Sequence, residues 1–143
     1  MLSAVSATPL VSRFARLGLA LMAVLRGEVA AAREQYVSLG LAAGSYLRIS
    51  GDRVLGLLAQ TMGELDQAVT HFEDALTFCR KAGYRPELAW TYCDYADMLL
   101  ERKGDGDSEK AVELLDESLA ISTELGMRPL MERVLSRREI LKA

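Results

Sequence analysis

The sequence is short of the residues that most catalytic centres need. It has one histidine, His71, two cysteines, Cys79 and Cys93, three prolines and one tryptophan. The cysteines have no C-x-x-C spacing and no companion histidine motif. They read as reduced thiols rather than a disulfide framework or a zinc site. His71 has only the surface-type charges Glu73 and Asp74 beside it, so neither a metal site nor Ser-His-Asp catalysis is expected. No phosphate loop of the G-x-x-x-x-G-K-[ST] type is present. The stretch "DGDSE", Asp105 to Glu109, spaces oxygen ligands as a calcium loop does. It lacks the glycine at the sixth place and the distant glutamate, and reads as a turn capped by Asp107 or Ser108. No cofactor, no metal and no enzymatic activity are expected.

Long apolar runs are also missing. The longest, "LGLALMAVL" after Arg13 and Arg16, has the look of a signal peptide core. It is far below the ~20 residues of a membrane span. Arg26 and Glu28 interrupt the would-be cleavage region, so an amphipathic first helix is the expectation. The formal charge is −3, the pI is near 5.2, and the body of the chain carries no basic block. Direct nucleic-acid binding and membrane association by this region are therefore not expected. The cluster Arg133, Arg137, Arg138 and Lys142 has the spacing of the wet face of a terminal helix.

What remains is 143 residues, half of them hydrophobic and 26% charged, enough for one soluble domain with a real core. No strand pattern is present. The chain writes "GYRPEL" at Gly83 and "GMRPLM" at Gly126, 43 residues apart. A glycine after an apolar-periodic segment takes the left-handed turn that closes a helix. A proline soon after suits the first turn of the next helix, where its missing N–H leaves no bond unmade. Arg85 and Arg128 should then sit in the joint, before the next helix begins. Gly-x-Arg-Pro is a helix-to-helix connector used twice.

The repeat continues between the joints. Ala68, Phe72, Ala75 and Leu76 are matched 43 residues later by Ala111, Leu115, Ser118 and Leu119. One helix from Leu65 gathers Leu65, Ala68, Val69, Phe72, Leu76 and Cys79 on a face. The next, from Pro86, gathers Leu88, Tyr92, Tyr95, Ala96 and Leu99. Upstream, Thr8 can cap a helix opening at Pro9 and turning at Arg26-Gly27. The linker "GLAAGSY" should lead to a helix starting near Ser45. These signals predict an all-α solenoid of three antiparallel helix pairs and a C-terminal helix. The repeats run over about 9–44, 45–85 and 86–128, and the last helix over about 129–142.

Helix pairs at this period resemble the tetratricopeptide repeat, with its W-x2-L-G-x2-Y and A-x3-F spacings. The middle copy supplies Leu55-Gly56, Ala59, Ala68-x3-Phe72 and Ala75; the first supplies Leu19-Ala20, Ala23 and Ala32-x3-Tyr36; the third supplies Tyr92, Tyr95-Ala96, Leu99 and Ala111-x3-Leu115. Small residues recur where helix axes approach closely, with Gly56 and Ala68 at the contact. No copy has the tryptophan or the late proline. With "DQAVTHFEDAL", "CRKAGYRPELAWTYCDYADMLLER" and "ELGMRPLMERVL", the chain resembles the C-terminal repeat region of bacterial LuxR-type ATP-dependent transcription regulators and ATPase-linked class III adenylate or guanylate cyclases. That resemblance implies a cytoplasmic, non-catalytic protein or peptide interaction module of a bacterial signalling protein.

The family's inner groove is lined by the first helix of each pair. Carried onto this chain, the candidate partner-binding residues are Arg53, Gln60, Trp90, Cys93, Asp97, Glu101, Arg133 and Arg137. Leu57 and Ser136 join them, as do Phe14, Leu17 and Leu21 in the first pair. Trp and Arg are favoured interface anchors, although Trp90 could equally pack against the adjoining repeat. Arg53 and Arg133 should flank a stripe of Trp90, Asp97 and Glu101, which would suit a partner with an apolar anchor and a basic residue. Reversing Asp97 and Glu101 to lysine should leave the helices intact, both being read as surface residues, and should abolish capture of a partner. The sequence contains no asparagine, which argues against the subclass that grips a C-terminal carboxylate with paired asparagines and lysines. Two other readings are a small-ligand or peptide sensor and a structural or dimerising spacer. In the latter, Leu17, Leu19, Leu21, Met22, Val24 and Leu25 of the N-terminal helix pair form a homodimer patch.

Overall fold

The computed structural model describes residues 9–41 and 48–143; the side chains of 9–11, 13, 41 and 48–50 are not described. The Thr8 cap and the helix start near Ser45 fall outside these residues. The described chain forms seven helices and no strand: α1 (Pro9–Arg26), α2 (Val29–Leu41), α3 (Arg48–Thr61), α4 (Leu65–Ala82), α5 (Arg85–Arg102), α6 (Asp107–Glu124) and α7 (Arg128–Lys142). Each helix packs on the next in sequence, and α3 also packs on α1 and α5. The chain is an all-α helical repeat.

The joints show why the chain turns where it does. Gly27, Gly63, Gly83 and Gly126 all take positive φ, between 64° and 79°. At each one the glycine N–H bonds three residues back and the next N–H bonds five back, as Tyr84 N to the Cys79 carbonyl and Met127 N to that of Ser122. This is the Schellman closure, which satisfies carbonyls a helix end would leave open. The two Gly-x-Arg-Pro joints match bond for bond. One expectation is corrected: Arg85 and Arg128 are not in the linker but open α5 and α7, with the proline one residue inside. Arg85 is held there by a two-pronged ion pair with Glu124, at 2.5 and 2.6 Å.

The α5–α6 joint differs. Lys103 takes the left-handed conformation, φ 55°, and Gly106, φ 77°, occupies the cap position of α6. Neither Asp107 nor Ser108 caps that helix. The Asp107 carboxylate instead folds back to accept from Arg102 and from the Gly104 N–H at 2.7 Å. Those bonds, the Arg102 ones foremost, hold its pKa below the usual carboxylate range.

The main core runs from α3 to α7, with Phe72, Leu76, Tyr95, Met98, Leu99, Leu115 and Leu130 fully buried. The Phe72 and Tyr95 rings stack at 5.4 Å. Gly56 lies against that pair: a Cβ there would sit 3.0 Å from three Phe72 ring atoms. Ala68 and Ser118 are likewise fully buried, and the Ser118 hydroxyl donates to the Ala89 carbonyl across α5 and α6. Small residues do stand where the axes approach. α5 is buried on nearly every side rather than on one face, because α3 and α4 cover one flank and α6 the other. A second core joins α1, α2 and α3 around Ala20, Ala23, Ala32 and Leu58. The proposed N-terminal patch divides: Leu17 and Val24 turn inward, whereas Leu19, Leu21, Met22 and Leu25 are exposed.

Candidate functional site

Alternation of direction makes α3, α5 and α7 parallel, and their side chains cross-link in rising register. Arg53 of α3 donates through Nε to Asp94 Oδ2 at 2.6 Å and reaches Glu87 at 3.4 Å. Two helical turns further along, Gln60 donates to Glu101 at 2.6 Å. From the other side, Arg133 of α7 pairs with Asp94 at 3.0 Å and Asp97 at 2.7 Å, and Arg137 donates to Asp97 at 2.7 Å. The result is a ladder of three guanidiniums interleaved with Asp94 and Asp97.

Trp90 sits between two rungs. The Arg53 guanidinium lies 5.5 Å from its ring centroid and that of Arg133 lies 6.0 Å away, both in cation–π range. The expected flanking of the Trp90 stripe by Arg53 and Arg133 is therefore found, but these contacts already occupy the indole. Burial alone would lower the Arg53 and Arg133 pKa values. The facing carboxylates outweigh it and raise both, so these two guanidiniums stay charged.

The structure brings Arg53, Gln60, Trp90, Asp97, Glu101, Arg133 and Arg137 onto one face. It does not bring Cys93 there. That thiol is fully buried, and desolvation pushes its pKa up to about 12; it offers a partner no surface and is inert as a nucleophile. Cys79 is also buried, its pKa raised to about 11. The view of Asp97 as a plain surface residue is corrected too. It holds two arginines, so reversing its charge would strike the fold as well as the groove. Sequence reasoning missed Asp94, the hub of the ladder, although Glu87, Trp90, Asp94, Asp97 and Glu101 follow the three-and-four spacing of one helical stripe.

Beside the ladder is a cleft of about 310 Å³ lined by Val24, Gly27, Leu57, Gln60, Thr61, Asp94, Asp97, Glu101 and Arg133. His71 lies elsewhere, half-buried, with Nε2 2.7 Å from the Tyr36 hydroxyl. Desolvation holds its pKa below the usual value. Among the described residues no group of three His, Cys, Asp or Glu side chains is placed to hold a metal ion. No described helix is long and apolar enough to cross a membrane.

Paired helices with glycine joints and a side-chain-rich face built from alternate helices define an α-helical repeat protein. The tetratricopeptide repeat family model matches residues 47–124, more than half of the chain. The chain belongs to the tetratricopeptide repeat family, whose repeats generally mediate protein–protein interaction and are typically non-catalytic. No curated protein and no solved structure matches it.

Proposed function

We propose that the face shared by α1, α3, α5 and α7 binds an extended protein or peptide segment, with no chemistry performed on it. The observation that carries this is the cleft of about 310 Å³ alongside the Trp90 ladder. Its walls come from α1, α3, α5 and α7 together, so a segment lying across them would touch every repeat. The ladder fixes the side chains in advance, which reduces the ordering loss on binding. The resemblance to the repeat regions of LuxR-type regulators and ATPase-linked cyclases supports a setting in a cytoplasmic bacterial signalling or transcription-regulatory protein, with the partner a protein rather than nucleic acid.

The test is selection from a random peptide library on the native protein and on two variants. Thr61→Trp fills the cleft; Glu113→Trp adds the same bulk on α6, away from it. Peptides retained by the native protein and by Glu113→Trp, and lost from Thr61→Trp, are the expected result. Absence of any such cleft-dependent peptide, with both variants keeping their native helical spectrum, would refute the reading.

A further inference from the structure

The cleft is electrically one-sided. Val24 and Gly27 come from the C-terminal end of α1, Gln60 and Thr61 from that of α3, and Glu101 from that of α5. Three parallel helices thus turn their C-terminal ends toward one space, each end equivalent to roughly half a negative charge. Of the basic residues near these ends, Arg133 lines the cleft but is taken up by Asp94 and Asp97, and Lys103, the cap residue of α5, is exposed and stands outside the cleft lining. α3 has none in its last turn. Arg26 faces Glu28 at 3.8 Å, and Arg102 pairs with Asp107 and Asp66. Of the three carboxylates lining the cleft, Asp94 and Asp97 are matched by the arginine ladder. Glu101 is not: its partner among the described residues is the neutral Gln60 amide. The walls beside it, Val24 and Leu57, are aliphatic.

Resting on the inner-face reading above, we infer that the cleft receives a basic side chain, lysine or arginine, from the bound segment. Such a side chain has an aliphatic stem and a cationic head. The stem matches Val24 and Leu57; the head meets the Glu101 carboxylate within the field of the three helix ends. A charge-assisted bond there is stronger than a neutral one. The basic residue is thereby assigned to Glu101 rather than Asp97, which has no charge to spare. An acidic segment would meet Glu101 and the helix ends as like charge.

The probes are three fluorescein-labelled decapeptides on one Ala/Ser/Leu frame, carrying three lysines, three glutamates or three glutamines. Fluorescence anisotropy is read with the native protein and with Glu101→Gln, Gln60→Lys and Thr61→Trp. The lysine peptide should bind tightest and weaken with salt. Its affinity should fall roughly tenfold in Glu101→Gln, and further in Gln60→Lys, which puts the protein's own ammonium in the site. Equal or tighter binding of the glutamate or glutamine peptide overturns the inference. So does a lysine peptide indifferent to Glu101→Gln, or one bound equally by Thr61→Trp. Cleft-dependent library peptides without basic residues would also overturn it while leaving the inner-face reading standing; no cleft-dependent peptide at all removes both.

Discussion

Replacing Asp94 by asparagine tests whether the arginine ladder holds the inner face together. Asp94 is 2% exposed, accepting from Arg53 on one oxygen and pairing with Arg133 on the other. Asparagine keeps the shape but has one acceptor, and turns an amide donor toward one of the two guanidiniums. Arg53, its side chain 19% exposed, would keep only Glu87 at 3.4 Å. Losing that charge-assisted bond costs about 1.5–3 kcal/mol. Arg133 retains Asp97, and its side chain is 36% exposed, so solvent screening limits its share to about 0.5 kcal/mol. The expected total is about 2–3.5 kcal/mol, a fall of roughly 5–10 °C in Tm for a chain of this size. Circular dichroism at 222 nm gives the melt, and the single Trp90, placed between Arg53 and Arg133, reports the loosened ladder by fluorescence. Asp94→Asn in an Arg53→Gln background should cost less than in the native one, since the shared bond is already gone. A Tm within about 1.5 °C of native, or full additivity of the two changes, would refute the ladder's structural role.

Gly56→Ala should destabilise the fold by ~0.5–2 kcal/mol: overpacking against the Phe72 ring, itself pinned on Tyr95, exceeds the ~1 kcal/mol helix gain of alanine. In a Phe72→Leu background the same change should be neutral or stabilising, which urea denaturation of the four proteins would show; destabilisation in both backgrounds would refute the contact. Asp107, with its folded pKa depressed, contributes stability that is present above its unfolded pKa of about 3.9 and lost as pH falls through the folded value. Asp107→Asn should therefore lower the urea midpoint at pH 7, and the gap to the native protein should narrow as pH falls below the unfolded pKa and through the folded value; a gap independent of pH would refute the assignment.

Helix ends were the most legible part of the sequence, because a glycine closure is local. Gly83 and Gly126 with their prolines announced both joints, and Ala68 and Gly56 announced the close contacts. The Asp107 cap was misread because its best acceptor geometry depends on Arg102, five residues back, and on the backbone of a four-residue turn. On the inner face, Arg53, Gln60, Trp90, Glu101, Arg133 and Arg137 could be placed by carrying the resembled family's groove positions onto the helical register. Cys93 could not, since α5 is covered on both flanks and one step of register separates the groove from the interior. Asp94 was invisible for the complementary reason. A buried carboxylate is explained only by its partners, and these lie 41 residues before and 39 after it.

Because each helix packs chiefly on its immediate neighbours along the chain, nearly every contact can form without closing a long loop. Topologies of that kind fold in microseconds to milliseconds. The densest contacts surround α5, where Phe72, Tyr95 and Leu115 meet, so a folding nucleus centred there would give substitutions at those positions slow refolding and little change in unfolding rate. The smaller core around Ala20, Ala32 and Leu58 would then form afterwards, with α1 and α2 the last to join and the first to leave.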